Sequence, residues 1–144
     1  MREIKFRAKV IEALETDIDG IEVGDWVYGH YYFDRANMQG IIVTELQKES
    51  GGVGSGIIQV HIKVDCKTLG QYTGLHDKNK KEIYDNYVLK VSIFKVCPIV
   101  WVSFTDACFE LYDVRDGVYV GDLKQIYSVS EIIGNIYENP ELLK

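Results

Sequence analysis

The sequence has no apolar run near 18 residues, and its opening lacks a charged stretch leading into an apolar core of signal-peptide length. Those absences predict a soluble chain that enters no membrane and stays in the compartment where it is made. Cysteine is sparse as well. Cys66, Cys97 and Cys108 form an odd count without a C-x-x-C pair, which argues against a disulfide framework or a conventional zinc site and fits a reducing cytoplasm. Cys97 and Cys108 are flanked by apolar residues, so inert buried thiols are expected there.

Positive charge is also in short supply. Sixteen Lys and Arg stand against 22 Asp and Glu, for a net charge of -6 and a pI near 5.0. Strong nonspecific binding to nucleic acid needs phosphates neutralised by Lys and Arg, so this balance works against it while leaving room for a local basic strip. Catalytic signatures are missing: there is no Gly-x-Ser-x-Gly, no catalytic Cys motif and no His-Glu-x-x-His. His30, His61 and His76 are scattered without ligand spacing, and the acids Asp17, Asp19, Asp25, Asp85, Asp113 and Asp116 sit at corners, where Asp is an ordinary turn residue. The expectation is no catalytic residue, no metal and no cofactor.

What remains is rich in β-formers. A chain of 144 residues is long enough for one domain, residues 1–144, burying roughly 70% of the surface it would expose unfolded. Arg2 to Ala8 alternates, with Ile4, Phe6 and Ala8 on one face; Trp26 to Phe33 and Ile41 to Leu46 read as strands; and Ile58 to Val64 alternates cleanly, leaving His61 outward. Asp17-Ile18-Asp19-Gly20 reads as a turn. Residues 47–56 lose all apolar periodicity. Their glycines, Gly51, Gly52, Gly54 and Gly56, lack the Gly-Lys-Ser/Thr ending of a phosphate loop and precede a strand, so a mobile hairpin loop is expected. Val88 to Val96 is nearly continuous in β-formers and is expected to be buried on both faces or to lie under another sheet. Ile99 to Phe104 and Cys108 to Val114 form a hairpin around Thr105-Asp106-Ala107, Leu123 to Val129 is open between helix and strand, and Glu131 to Tyr137 is a strand. Asn139-Pro140-Glu141 has the order of an N-cap, a first-turn proline and an acid, predicting a short terminal helix.

At the centre stands Gln71 to Val88, a strand, a polar reversal and a second strand. Asp77 and Asn79 set the turn, and Gly74 serves a bulge or a close backbone approach. This stretch, the opening Met1-Arg2-Glu3-Ile4-Lys5-Phe6-Arg7-Ala8 and the closing Ile132-Ile133-Gly134-Asn135-Ile136-Tyr137-Glu138-Asn139-Pro140-Glu141-Leu142-Leu143 together resemble the YopX family of small bacteriophage and prophage proteins. The resemblance covers the whole chain. It implies a phage origin and a mainly β fold, and it transfers no established activity. Two departures stand out: the family usually has Gly where Lys80 stands, and Glu-Gly-Asp where this chain has Asp85-Asn86-Tyr87. Loss of the first Gly predicts that Asn79 carries the turn instead.

The expected fold class is mainly β, a compact antiparallel architecture with a short C-terminal helix. Glu22-Val23-Gly24-Asp25-Trp26-Val27-Tyr28 echoes Glu82-Ile83-Tyr84-Asp85-Asn86-Tyr87-Val88, which leaves two SH3-like barrel halves as the alternative to a single mixed arrangement.

Aromatic residues carry the functional reading. Ten Tyr and two Trp are many for this length, and Trp26, Tyr28, Tyr31, Tyr32 and Phe33 crowd one strand whose two faces cannot both be core. With Arg35 and the reversal residues Tyr72, Asp77, Lys78 and Asn79 they form the candidate binding set. The leading expectation is a noncatalytic phage accessory protein of the bacterial host cytoplasm that binds a host or phage protein. Single-stranded nucleic-acid binding through Tyr stacking, aided by Lys78, Lys80 and Lys81, is the alternative, followed by an enzyme with an unfamiliar site. Self-association is compatible with each.

Overall fold

Alternating β-branched and aromatic residues make this chain a set of antiparallel ladders. The computed structural model describes residues 1–12, 20–48, 56–96 and 98–144. Asp17 to Asp19 of the expected turn, nearly all of the Gly-rich loop and Cys97 therefore lie outside the described residues. The chain divides into two compact units, Ile4–Gln71 and Met1–Glu3 with Tyr72–Lys144.

The first unit holds β1 (Phe6–Lys9), β2 (Trp26–Asp34), β3 (Gln39–Lys48) and β4 (Gly56–Val64), paired in the order β4-β3-β2-β1, with Gly70 and Gln71 added along β1. Their inward side chains, Ala8, Val10, Val27, Ile42, Val60, Ile62 and Val64, form one apolar core. A single bridge between Val10 and Val64 curls the sheet without closing it into a barrel. Gly29 marks where β2 exchanges β1 for β3 as its partner. A Cβ there would lie 2.1 Å from the Val43 carbonyl oxygen, so only glycine permits the approach.

The opening strand is shorter than its alternation predicts. Ile4 is exposed, pairing begins at Phe6, and Arg7, expected outward, is only 2% exposed. The reason is what covers that face: the Arg7 guanidinium lies 3.9 Å from the centre of the Trp26 ring.

The second unit contains the rest of β5 (Gly70–His76), β6 (Glu82–Tyr84) and a five-stranded sheet of β7 (Tyr87–Val91), β8 (Ile99–Thr105), β9 (Cys108–Asp113), β10 (Tyr119–Asp122) and β11 (Ser130–Asn135) in the order β10-β9-β8-β7-β11. Its core is Ile83, Leu89, Val91, Val100, Val102, Leu111, Leu123 and Ile126. Consecutive Val88 and Leu89 are both fully buried, so β7 is covered on both faces as its composition predicts. The strand is cut short, however. Phe94 N–H turns back to the Val91 carbonyl, and Ile93 and Val96 are exposed, so the apolar run to Val96 does not continue the strand. The open segment resolves to helix: α1 (Leu123–Ile126) and a 3₁₀ turn, Tyr127–Val129.

Two backbone predictions need correction. The left-handed residue of the central reversal is Lys80 itself, at φ +65°, not Asn79. At the chain's end the expected short helix is a single 3₁₀ turn, Pro140–Leu143, opened by its proline, but Asn139 gives no side-chain cap; its Oδ1 accepts from Asn135 N–H and its amide donates to Glu141.

Candidate functional site

In β2 successive side chains point to opposite faces. Val27 and Tyr31 join the core, whereas Trp26, Tyr28, His30 and Tyr32 take the alternate positions and face outward. Four rings thus occupy four consecutive outward places on one strand. Neighbours two residues apart in an antiparallel strand stand about 6.8 Å from each other. Tyr28 and Tyr32 keep 43% and 44% of their surface exposed, and His30 is exposed between them.

Charged and polar groups hold the two ends of this ladder. At one end Arg7 and Lys9 of β1 lie over Trp26, the Lys9 ammonium 5.4 Å from the ring centre. At the other, the Tyr32 hydroxyl is 3.2 Å from His61 Nδ1, and the two rings meet edge to face. Lys63, next on β4's outward face, pairs with Glu12. The outward sheet face is therefore aromatic and weakly cationic on an acidic chain.

Tyr31 belongs to the opposite face. It packs on Phe6 with ring centres 5.8 Å apart, and its hydroxyl lies 3.6 Å from Cys66 Sγ. Burial, and then the contact with Cys66, pushes its phenol up to about 12. Arg35 is exposed in the β2–β3 turn, whose form Asp34 sets by accepting from Ala36 N–H and from the Asn37 backbone and amide. The expected aromatic cluster thus divides: Tyr31 packs inward, Trp26, Tyr28 and Tyr32 take the outward face, and Phe33, on Tyr31's side of the strand, stays exposed near its end.

The remaining candidates, Tyr72, Asp77, Lys78 and Asn79, fall in the second unit and serve its architecture. Tyr72 is buried against Tyr84 and His76. Asp77 is 2% exposed, and its carboxylate accepts from Asn79 N–H at 2.8 Å, Lys81 N–H at 3.0 Å and Ile132 N–H at 3.1 Å. Burial alone raises its pKa, but those three backbone donors and the charge of Lys81 outweigh it and hold the carboxyl below its ordinary value. Lys78 pairs with Glu131, and its N–H donates to the Ser130 carbonyl. The reversal is thus a clasp tying residues 77–81 to β11.

No group of three or more His, Cys, Asp or Glu able to hold a metal gathers among the described residues. Cys108, expected buried, is exposed at the start of β9, because it follows the tight turn at Asp106–Ala107 and projects from the sheet's end. Two features of the structure escaped the sequence: the meeting of His61 with Tyr32 across β3, and a cavity in the second unit lined by Arg2, Leu75, Phe109 and Lys124. A strand register exposes the first and only tertiary structure the second.

The family model described as YopX protein matches residues 22–144. No curated protein matches the chain. Among solved structures it is similar to protein EF1440 from Enterococcus faecalis, a crystal structure with 21% sequence identity and a TM-score of 0.48, each chain covered over 100% of its length.

Proposed function

We propose that this chain, which belongs to the YopX family, is a noncatalytic accessory module that binds a host or phage protein through the outward rings of β2. The phage setting is what the family resemblance implies, and a reducing host cytoplasm is what the odd, unpaired cysteine count suggests. No helix among the described residues is long and apolar enough to cross a membrane.

The carrying observation is the ladder itself: Tyr28, His30 and Tyr32 are exposed at alternate positions of a strand whose other face is already occupied by core. Tyr and Trp supply large rigid contact area with few rotamers to freeze, which is why such residues anchor protein interfaces. The cations nearby are committed elsewhere. Arg7 is buried over Trp26 and Lys63 is paired with Glu12, so few remain for a phosphate backbone.

A second reading, single-stranded nucleic acid, draws on one specific observation. The rings repeat along the strand at about 6.8 Å, a spacing over which splayed bases can stack. Lys78, Lys80 and Lys81, expected to aid it, belong to the second unit, and Lys78 is paired with Glu131.

Affinity capture from phage-carrying host lysate, with and without nuclease, separates the two. The protein-binding reading expects a nuclease-resistant protein that Tyr28→Ser/Tyr32→Ser loses and the exposed-site control Ile93→Ser retains. Recovery of nucleic acid alone, or equal capture by both variants, contradicts it.

A further inference from the structure

We propose that the second unit carries a binding site for a small carboxylate with a flat apolar body, in the cavity of about 280 Å³ lined by Arg2, Leu75, Phe109 and Lys124. The site is independent of the ladder, which belongs to the first unit, and its failure would leave the protein-binding reading untouched.

The cavity is built around a cation laid on apolar surface. Arg2 runs across Gly74, where a Cβ would come within 2.6 Å of the Arg2 Cγ, and its guanidinium lies 5.5 Å from the centre of the Phe109 ring. Gly74 sits at φ +81°, in a bulge of the β5–β6 pairing between Tyr72 and His76, so backbone shape and missing side chain together make the bed for Arg2. Neither Arg2 nor Lys124 makes an ion pair among the described residues. The one carboxylate in the lining, Asp122, accepts the Tyr119 hydroxyl at 2.9 Å. Two cations therefore face one acid that is already engaged.

The rest of the lining fixes the ligand's body. Leu75 and Phe109 are apolar walls, and the Thr73 hydroxyl, although it lines the cavity, is spent: it donates to the Ile83 carbonyl and accepts from Leu75 N–H. Ala107, at φ +65° in the two-residue turn between β8 and β9, also lines the cavity. An apolar hollow with a few convergent charged groups is the usual form of a small-molecule site, and this volume lies near the lower end of the range for such sites. It suits a bicyclic aryl carboxylate, its rings against Phe109 and Leu75 and its carboxylate taken by Arg2 and Lys124.

The test uses the full chain and 2-naphthoate. Titration followed by backbone amide NMR is expected to give saturable shifts concentrated at Thr73, Leu75, Ala107 to Phe109 and Lys124. The neutral 2-naphthamide, and separately the Arg2→Gln/Lys124→Gln variant with naphthoate, should each bind about tenfold more weakly or worse, as befits loss of a charge-assisted contact. Cys108 lines the same cavity and is exposed, as is Cys66 elsewhere, so naphthoate should slow alkylation of Cys108 and leave Cys66 unchanged. Absence of saturable shifts up to the probe's solubility limit, equal affinity for the amide, or equal protection of both thiols would overturn the proposal.

Discussion

Lys80 occupies a left-handed backbone position at φ +65°, and Asn86 another at +69°. Such a position costs a residue with a Cβ about 1–2 kcal/mol, whereas glycine in place of a side chain costs about 0.5–1 kcal/mol in unfolded-chain freedom. Lys80→Gly should therefore stabilise the fold by about 0.5–1 kcal/mol, while Asn86→Gly should be near neutral because Asn tolerates this region; urea denaturation of the two variants checks both. The resemblance to the YopX family flagged both positions, yet the departure at Lys80 could not reveal that the lysine itself bends, since propensity favours Asn79 for the role. Asp77 is the other decisive residue. Asp77→Asn should cost about 2 kcal/mol, because an amide nitrogen replaces one acceptor among three backbone donors. Its folded-state pKa is depressed, so the stabilisation is complete above the unfolded carboxyl value near 3.9 and is lost as pH falls through the folded value. The stability gap between wild type and Asp77→Asn should accordingly narrow on acidification below about pH 4, as thermal melts over pH would record.

At the scale of elements, β2 divides its side chains between two tasks. Tyr31→Ala should destabilise by about 2–4 kcal/mol through loss of a packed ring, whereas Tyr28→Ser and Tyr32→Ser should each stay within about 0.5–1 kcal/mol because those rings are exposed. A reversed order in chemical denaturation would mean that the ladder is packing, not presentation. Much of this was legible: β2, β3, β4 and the β8–β9 hairpin follow from period-2 alternation and turn residues. The misreadings have local causes. Alternation gives the face a side chain takes and not what covers that face, so Arg7 looked exposed; composition cannot see that the chain turns back after Val91, so the run to Val96 looked like strand. The aromatic cluster was found in sequence, but its division into Tyr31 inside and Tyr28, His30 and Tyr32 outside needed the register. The cavity of Arg2 and Phe109 joins residues more than a hundred positions apart, and no local signal announces it.

For the molecule as a whole, net charge and surface chemistry point the same way. A chain of net charge -6 whose ladder cations are engaged should bind its partner with an affinity that changes little with added salt, because few counterions are released. A steep fall in affinity with salt would identify a polynucleotide instead. The central claim, that the outward rings of β2 are the contact surface, is tested most directly by photo-crosslinking. With Tyr32 replaced by p-benzoylphenylalanine, irradiation in phage-carrying host lysate should yield a discrete nuclease-resistant protein adduct that the same group at Ile93 does not form. Identical adducts from both positions, or none from position 32, would contradict the account.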